Sequence, residues 1–160
     1  MNLRRIGLGI LCLLLAGGVC FFALRPEPAE AGFTSEEVDD LVSFLGGDAA
    51  FNRKLMALDA LRKKADVEDK LEALAEGKDV KLAVFTTTAL GKMKTAAAKS
   101  NLKDLVKSTT LSKDVRKSAM TAIAVHFKDS SDLTFLESET ASDSDLKAYC
   151  AWLKTNVYGK

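Results

Sequence analysis

One histidine, His126, and one cysteine beyond residue 31, Cys150, are the residues whose chemistry could most readily be catalytic. A general base needs an orienting partner and a nucleophile or substrate within hydrogen-bond reach. No spacing in the chain supplies either to His126, which stands between Val125 and Phe127 at the end of an expected helix. There, a partial positive charge facing the last carbonyls is favoured. Cys150 has no second cysteine in its own region, since Cys12 and Cys20 lie in an apolar leader. It reads as a small buried thiol instead of a nucleophile. Zinc needs Cys or His pairs at short spacing, and none occurs. Asp129 with Asp132, and Asp143 with Asp145, lack the glycine and distal glutamate of a calcium loop and read as solvated helix caps. The expectation is a non-enzymatic chain with no cofactor and no metal.

Charge is the next signal. The net charge is only +1, which argues against bulk attraction to nucleic acid, but the charges are unevenly distributed. Between Gly77 and Lys128 eleven Lys or Arg face three Asp, whereas Glu36, Glu37, Asp39 and Asp40, and the stretch from Asp129 to Asp145, are acidic. Lys92, Lys94, Lys99, Lys103, Lys107, Lys113, Arg116 and Lys117 therefore form a candidate surface for an anionic partner. That partner would be an acidic protein, an envelope polysaccharide or lipid head groups. The alternative is a set of solvated helix faces. Nucleic acid is further disfavoured because no aromatic residues are interleaved with these lysines.

The elements that would hold these residues are helices. Both prolines, Pro26 and Pro28, precede the expected domain, and the rest is rich in Ala, Leu, Lys and Glu. The pattern predicts helices over 35–45, 49–63, 67–75, 79–97, 101–108, 113–127, 131–138 and 143–157. Thr34 with Glu37 forms a capping-box pattern. Asp66, Ser100 or Asn101, Ser112, Ser131, and Ser142 or Ser144 are candidate N-caps, with Gly46, Gly47 and Gly77 as stops. Loops of three to five residues make successive helices antiparallel. Leu146, Tyr149, Trp152 and Leu153 fall at spacings of three, four and seven, so most belong to the last helix's buried stripe. That helix would cap the domain or present an exposed docking face.

The helices repeat. Leu41, Leu71, Leu102 and Leu133 recur at steps of 30, 31 and 31 residues, each opening a segment with a second large apolar residue three positions on. The same step links Ala57, Thr88, Ala119 and Cys150, and Ala60, Gly91, Ala122 and Leu153. These mostly small residues suit close approach of two helices. The run from Asp114 through Arg116 to Ala119, Ala122 and Ile123 resembles the first-helix signature of HEAT repeats. Asp79-Val80-Lys81 with Ala89-Leu90-Gly91 is similar but has extra residues between its halves. Asp145-Leu146-Lys147-Ala148 repeats its start, and Phe51-Asn52-Arg53 with Ala60-Leu61 is a copy lacking the aspartate. The resemblance covers nearly all of residues 48–160. It implies an all-α fold, an α-solenoid of antiparallel helical hairpins over 33–160, used for protein interaction and as a scaffold. An ordinary helical bundle with coinciding apolar spacings is the alternative.

Residues 1–31 read as a signal peptide or signal anchor with a short proline-containing linker. Ile6 to Leu24 carries no charge and is long enough to span a bilayer as a helix. Arg4 and Arg5 precede it and acidic residues follow, which puts the N-terminus in the cytoplasm and the domain in the periplasm or beyond. Ala29-Glu30-Ala31 has the small-x-small form of a cleavage site. If uncleaved, residues 6–24 hold the chain in the membrane. Lipidation at Cys20 fits poorly, because Gly17-Gly18-Val19 is not the aliphatic-then-small run such a site needs. The functional expectation is an exported or membrane-anchored protein-interaction module. The alternative is a helical carrier for an apolar ligand or lipid, which would need a cavity lined by Leu, Phe and Met.

Overall fold

Apolar side chains at every third or fourth position, punctuated by hydroxyl and carboxylate caps, make residues 35–160 helical. These are the residues that the computed structural model describes, and the leader and linker expected over 1–31 lie outside them. The helices are α1 (Ser35–Gly46), α2 (Phe51–Leu61), α3 (Glu68–Ala75), α4 (Val80–Met93), α5 (Ala96–Lys107), α6 (Lys113–His126), α7 (Ser130–Glu139) and α8 (Ser144–Leu153). A π-helical turn, Lys154–Tyr158, follows. No strand occurs among the described residues, so the all-α expectation holds there.

Most starts are chemically explicit. The side chains of Asp79, Thr95, Ser112, Asp129 and Asp143 each accept a hydrogen bond from a free N–H in the first turn of the following helix. Of the expected caps Ser112 is used. Asp129 replaces Ser131, and Asp143 replaces its serine neighbours. Asp66 instead adopts a left-handed backbone, φ 55°, and α3 begins without a side-chain cap.

The largest departure lies between α4 and α5. A single helix was expected over 79–97, with the next from 101. The break falls at Lys94, whose φ of 58° ends α4, and Thr95 caps α5 by accepting from Ala98 N–H at 3.1 Å. Thr95 Oγ1 also donates to Glu68 at 2.7 Å, which ties this break to α3. Alanines 96–98 suit either helix, so that tertiary link and the cap decide. Asn101 consequently lies inside α5, nearly buried, and donates to Asp69 at 3.2 Å.

Each helix touches the one two places along. α1, α3, α5 and α7 contact in succession, as do α2, α4, α6 and α8, and most helices also touch a sequence neighbour. Side-chain links follow the repeat step. Lys70 pairs with Asp39, Thr87 meets Ser118 at 2.6 Å, and Thr121 meets Tyr149 at 2.7 Å. The Ser118 hydroxyl donates to the Val84 carbonyl, and a Cβ added at Gly91 would meet Ala122 and His126. Like ends of α4 and α6 therefore lie side by side. The Lys117–Asp145 and Thr121–Tyr149 links set α8 beside α6 in the same sense.

Between these rows Leu45, Leu61, Leu71, Leu90, Leu102, Leu105, Met120, Ile123, Leu136, Leu146 and Leu153 are fully buried. Removing such side chains from water is the main force holding the helices together. Phe44 and Trp152 depart from the apolar pattern and are exposed, while Tyr149 is half-buried.

Candidate functional site

The eight basic residues marked by the sequence do not share one face. Lys99, Lys103 and Lys107 lie on α5, Lys113, Arg116 and Lys117 on α6, and Lys92 and Lys94 at the end of α4. Six are engaged within the chain. Lys99 Nζ lies 2.8 Å and Lys103 Nζ 3.0 Å from the two carboxylate oxygens of Asp132, whose side chain is 0 % exposed. Neither oxygen receives a well-angled hydrogen bond, so the attraction is chiefly coulombic. The ammonium groups also face aromatic rings, with Lys99 Nζ 5.6 Å from the Phe127 centroid and Lys103 Nζ 5.0 Å from that of Phe135. Lys107 binds Asp104 at 2.9 Å, Lys113 binds Asp143 at 3.1 Å, and Lys117 binds Asp145 at 2.9 Å. Those hydrogen bonds raise the pKa of Lys107 and Lys117 above the usual lysine range. Arg116 is buried and its Nε donates to the Val106 carbonyl at 2.9 Å.

The uneven charge along the sequence thus becomes contact between neighbouring helices, with lysines of α5 and α6 meeting aspartates of α7 and α8. Among the described residues, Lys92, Lys94 and Arg116 of the eight have no carboxylate oxygen within 4 Å, and of these only Lys92 and Lys94 are exposed. These two lysines act on His126, the last residue of α6. Burial first, then Lys94 and Lys92, push the pKa of its imidazole below the ordinary histidine value. The sequence had favoured a charged histidine at this helix end. The structure has it resting on Gly91, where a Cβ would stand 2.5 Å from His126 Cδ2 and 3.0 Å from the Ala122 Cβ. Glycine is needed here for close approach, not for an unusual backbone.

Beside this cationic end runs a groove of about 490 Å³ between α4, α6 and α8. Val84, Ala122, Val125 and the Tyr149 ring give it apolar walls, and Thr88, Ser118 and Thr121 line it with hydroxyls. Asp114 and the Asp145-bound Lys117 stand at the end opposite His126. A smaller groove of about 180 Å³, lined by Leu55, Leu58, Phe85 and Lys92 among others, lies between α2 and α4. Trp152 stacks on Tyr149 with ring centroids 5.7 Å apart, yet stays 52 % exposed. Of the four residues on the expected stripe, Leu146 and Leu153 are buried, Tyr149 is half-buried and Trp152 is the exposed one.

Cys150 is buried, and burial raises its thiol pKa. Among the described residues no group of three His, Cys, Asp or Glu could hold a metal ion, and no helix is long and apolar enough to cross a membrane. The expected membrane-spanning run, 6–24, lies outside those residues. The chain matches no protein-family model, no curated protein and no solved structure.

Proposed function

We infer that the chain is a HEAT-like α-solenoid working as a non-enzymatic interaction module, held at or released beyond the cytoplasmic membrane by its leader. One observation carries this reading. Of the six large apolar side chains exposed among the described residues, five (Met56, Val80, Phe85, Val125 and Trp152) belong to the α2, α4, α6 and α8 row. Exposed apolar groups concentrated on one row, with grooves between its helices, suit a surface that a protein partner covers.

Supporting the solenoid are the contacts between helices two places apart and the links at nearly constant sequence separation. A single hairpin cannot bury its apolar face, so stacked copies complete one another. Export is supported by the uncharged run Ile6 to Leu24 behind Arg4 and Arg5. A lipid carrier has less support. The interior positions hold large side chains such as Leu90, Leu105, Met120 and Ile123, and the grooves are lined partly by hydroxyls and charges.

The test is affinity capture of the full-length chain from its own envelope fraction, followed by amide exchange with the recovered partner added back. The expected result is a stoichiometric partner that protects α2, α4, α6 and α8. Absence of any partner, or protection confined to α1, α3, α5 and α7, would count against the reading. An intact mass of the mature chain reports whether the leader is removed.

A further inference from the structure

The groove between α4, α6 and α8 combines an apolar wall, spare hydrogen-bond donors, two lysines without a carboxylate partner among the described residues beyond its His126 end, and at its other end a lysine already bound to Asp145. This inference rests on the interaction-module reading. The geometry points to a docking site for an extended acidic segment of a partner protein. The segment lays an aliphatic or aromatic side chain against Val84, Ala122 and Val125, and turns a carboxylate toward Lys92, Lys94 and His126.

Length comes from the helix. Asp114 to His126 line the groove along α6, and twelve steps of about 1.5 Å give about 18 Å, the reach of five or six extended residues. Hydrogen bonding in the middle follows from an oversubscribed acceptor. The Val84 carbonyl takes hydroxyl hydrogens from Thr87 at 2.8 Å, Ser118 at 3.0 Å and Thr88 at 3.3 Å, besides the α-helical N–H of Thr88. A carbonyl offers two lone pairs. The Thr88 and Ser118 hydroxyls, both lining the groove, can therefore turn to a peptide carbonyl at little loss.

Polarity of binding follows from the ends. Among the described residues Lys92 and Lys94 have no carboxylate within 4 Å, and both act on His126, whereas at the other end Asp145 takes up Lys117 and Asp114 adds a further carboxylate. Like charge repels an acidic residue there, so the carboxylate goes to the His126 end. Exposed apolar Val125 beside that end gives the anchoring side chain its contact.

The test is selection of a random six-residue peptide library on the immobilised full-length chain, then affinities of the enriched peptides by fluorescence anisotropy. Enriched peptides should carry an acidic residue close to an apolar one. Their affinity should fall at least about tenfold on K92E/K94E and on V125E, and stay unchanged on K147E, an exposed lysine outside the groove. Unchanged thermal midpoints check that the variants fold. Peptides that bind but ignore both groove variants would overturn the site while leaving the module reading standing on another face. No enrichment at all would overturn the site too, and the envelope capture separately decides the module reading. Vesicles of phosphatidylglycerol and phosphatidylcholine that bind through Lys92 and Lys94, with peptides failing to bind, would overturn it in favour of a membrane surface.

Discussion

Replacing Lys99 and Lys103 together by methionine orphans a carboxylate that cannot reach water. Asp132 is 0 % exposed at its side chain, whereas Lys99 and Lys103 are 24 % and 28 % exposed. The two sides of this cluster are therefore unequal. Losing both ammonium groups leaves a buried, unpaired charge, a situation that costs about 3–5 kcal/mol. Methionine keeps an unbranched apolar side chain at each position, and the lost ammonium contacts with the Phe127 and Phe135 rings add about 0.5–1 kcal/mol each at most. D132N removes the charge from the other side. The lysines can then turn to solvent, and the loss is about 1–2 kcal/mol. With a folded part near this size, each kcal/mol shifts the midpoint by about 3–6 °C, so K99M/K103M should lower Tm by about 10–30 °C. The triple variant D132L/K99M/K103M should recover most of that, because an apolar replacement of a whole buried cluster is often neutral. Urea unfolding of the full-length chain, followed by circular dichroism and Trp152 fluorescence, measures all three. If D132N costs as much as K99M/K103M, or the triple variant is simply additive, the cluster is not a buried charge stabilised by two wetter partners.

Four further outcomes are expected. G91A should destabilise by about 1–3 kcal/mol through its clash with His126, despite a helix-propensity gain of about 1 kcal/mol, and G91A/H126A should recover stability in urea melts. K94G should stabilise by about 1 kcal/mol, because Lys94 holds a left-handed backbone that glycine adopts freely, and a lower Tm would refute that conformation. Cys150 should react with a thiol reagent much more slowly in the folded chain than in urea, since it is buried and its pKa is raised. His126 has a lowered folded pKa, so the unfolded chain binds its proton first. Stability should fall as pH drops from about 7.5 to about 5.5, below the unfolded value of His126, and H126Q should flatten that slope in thermal melts.

Some of the site was readable beforehand and some was not. Lys92 and Lys94 are among the candidate residues that charge alone picks out, and the repeat step makes Gly91 a small position suited to close approach. His126 was placed at a helix end, but its burial over Gly91 was not evident, because the packing comes from a helix about 30 residues away in sequence. The same distance hid the pairing of Lys99 and Lys103 with Asp132, and of Lys117 with Asp145. A lysine's partner depends on which helix lies alongside and at what offset. A linear charge count records only that both signs are present.

What depends on near neighbours along the chain is legible in the order of residues alone. Helix formation, the step of about 31 residues, the leucines that fill the interior and the cap at Ser112 all follow from spacing and local hydrogen bonding. Where local preference is flat or a partner is remote, the packing of helices settles the outcome. Alanines 96–98 suit either of two helices until Thr95 donates to Glu68 and caps Ala98. Trp152 fits an apolar stripe, yet the side chains that α8 buries are Leu146, Cys150 and Leu153. The basic middle of the chain reads as one surface until neighbouring aspartates take up most of its charge, because a salt link needs two side chains within a few ångströms and only the packing of helices sets that distance.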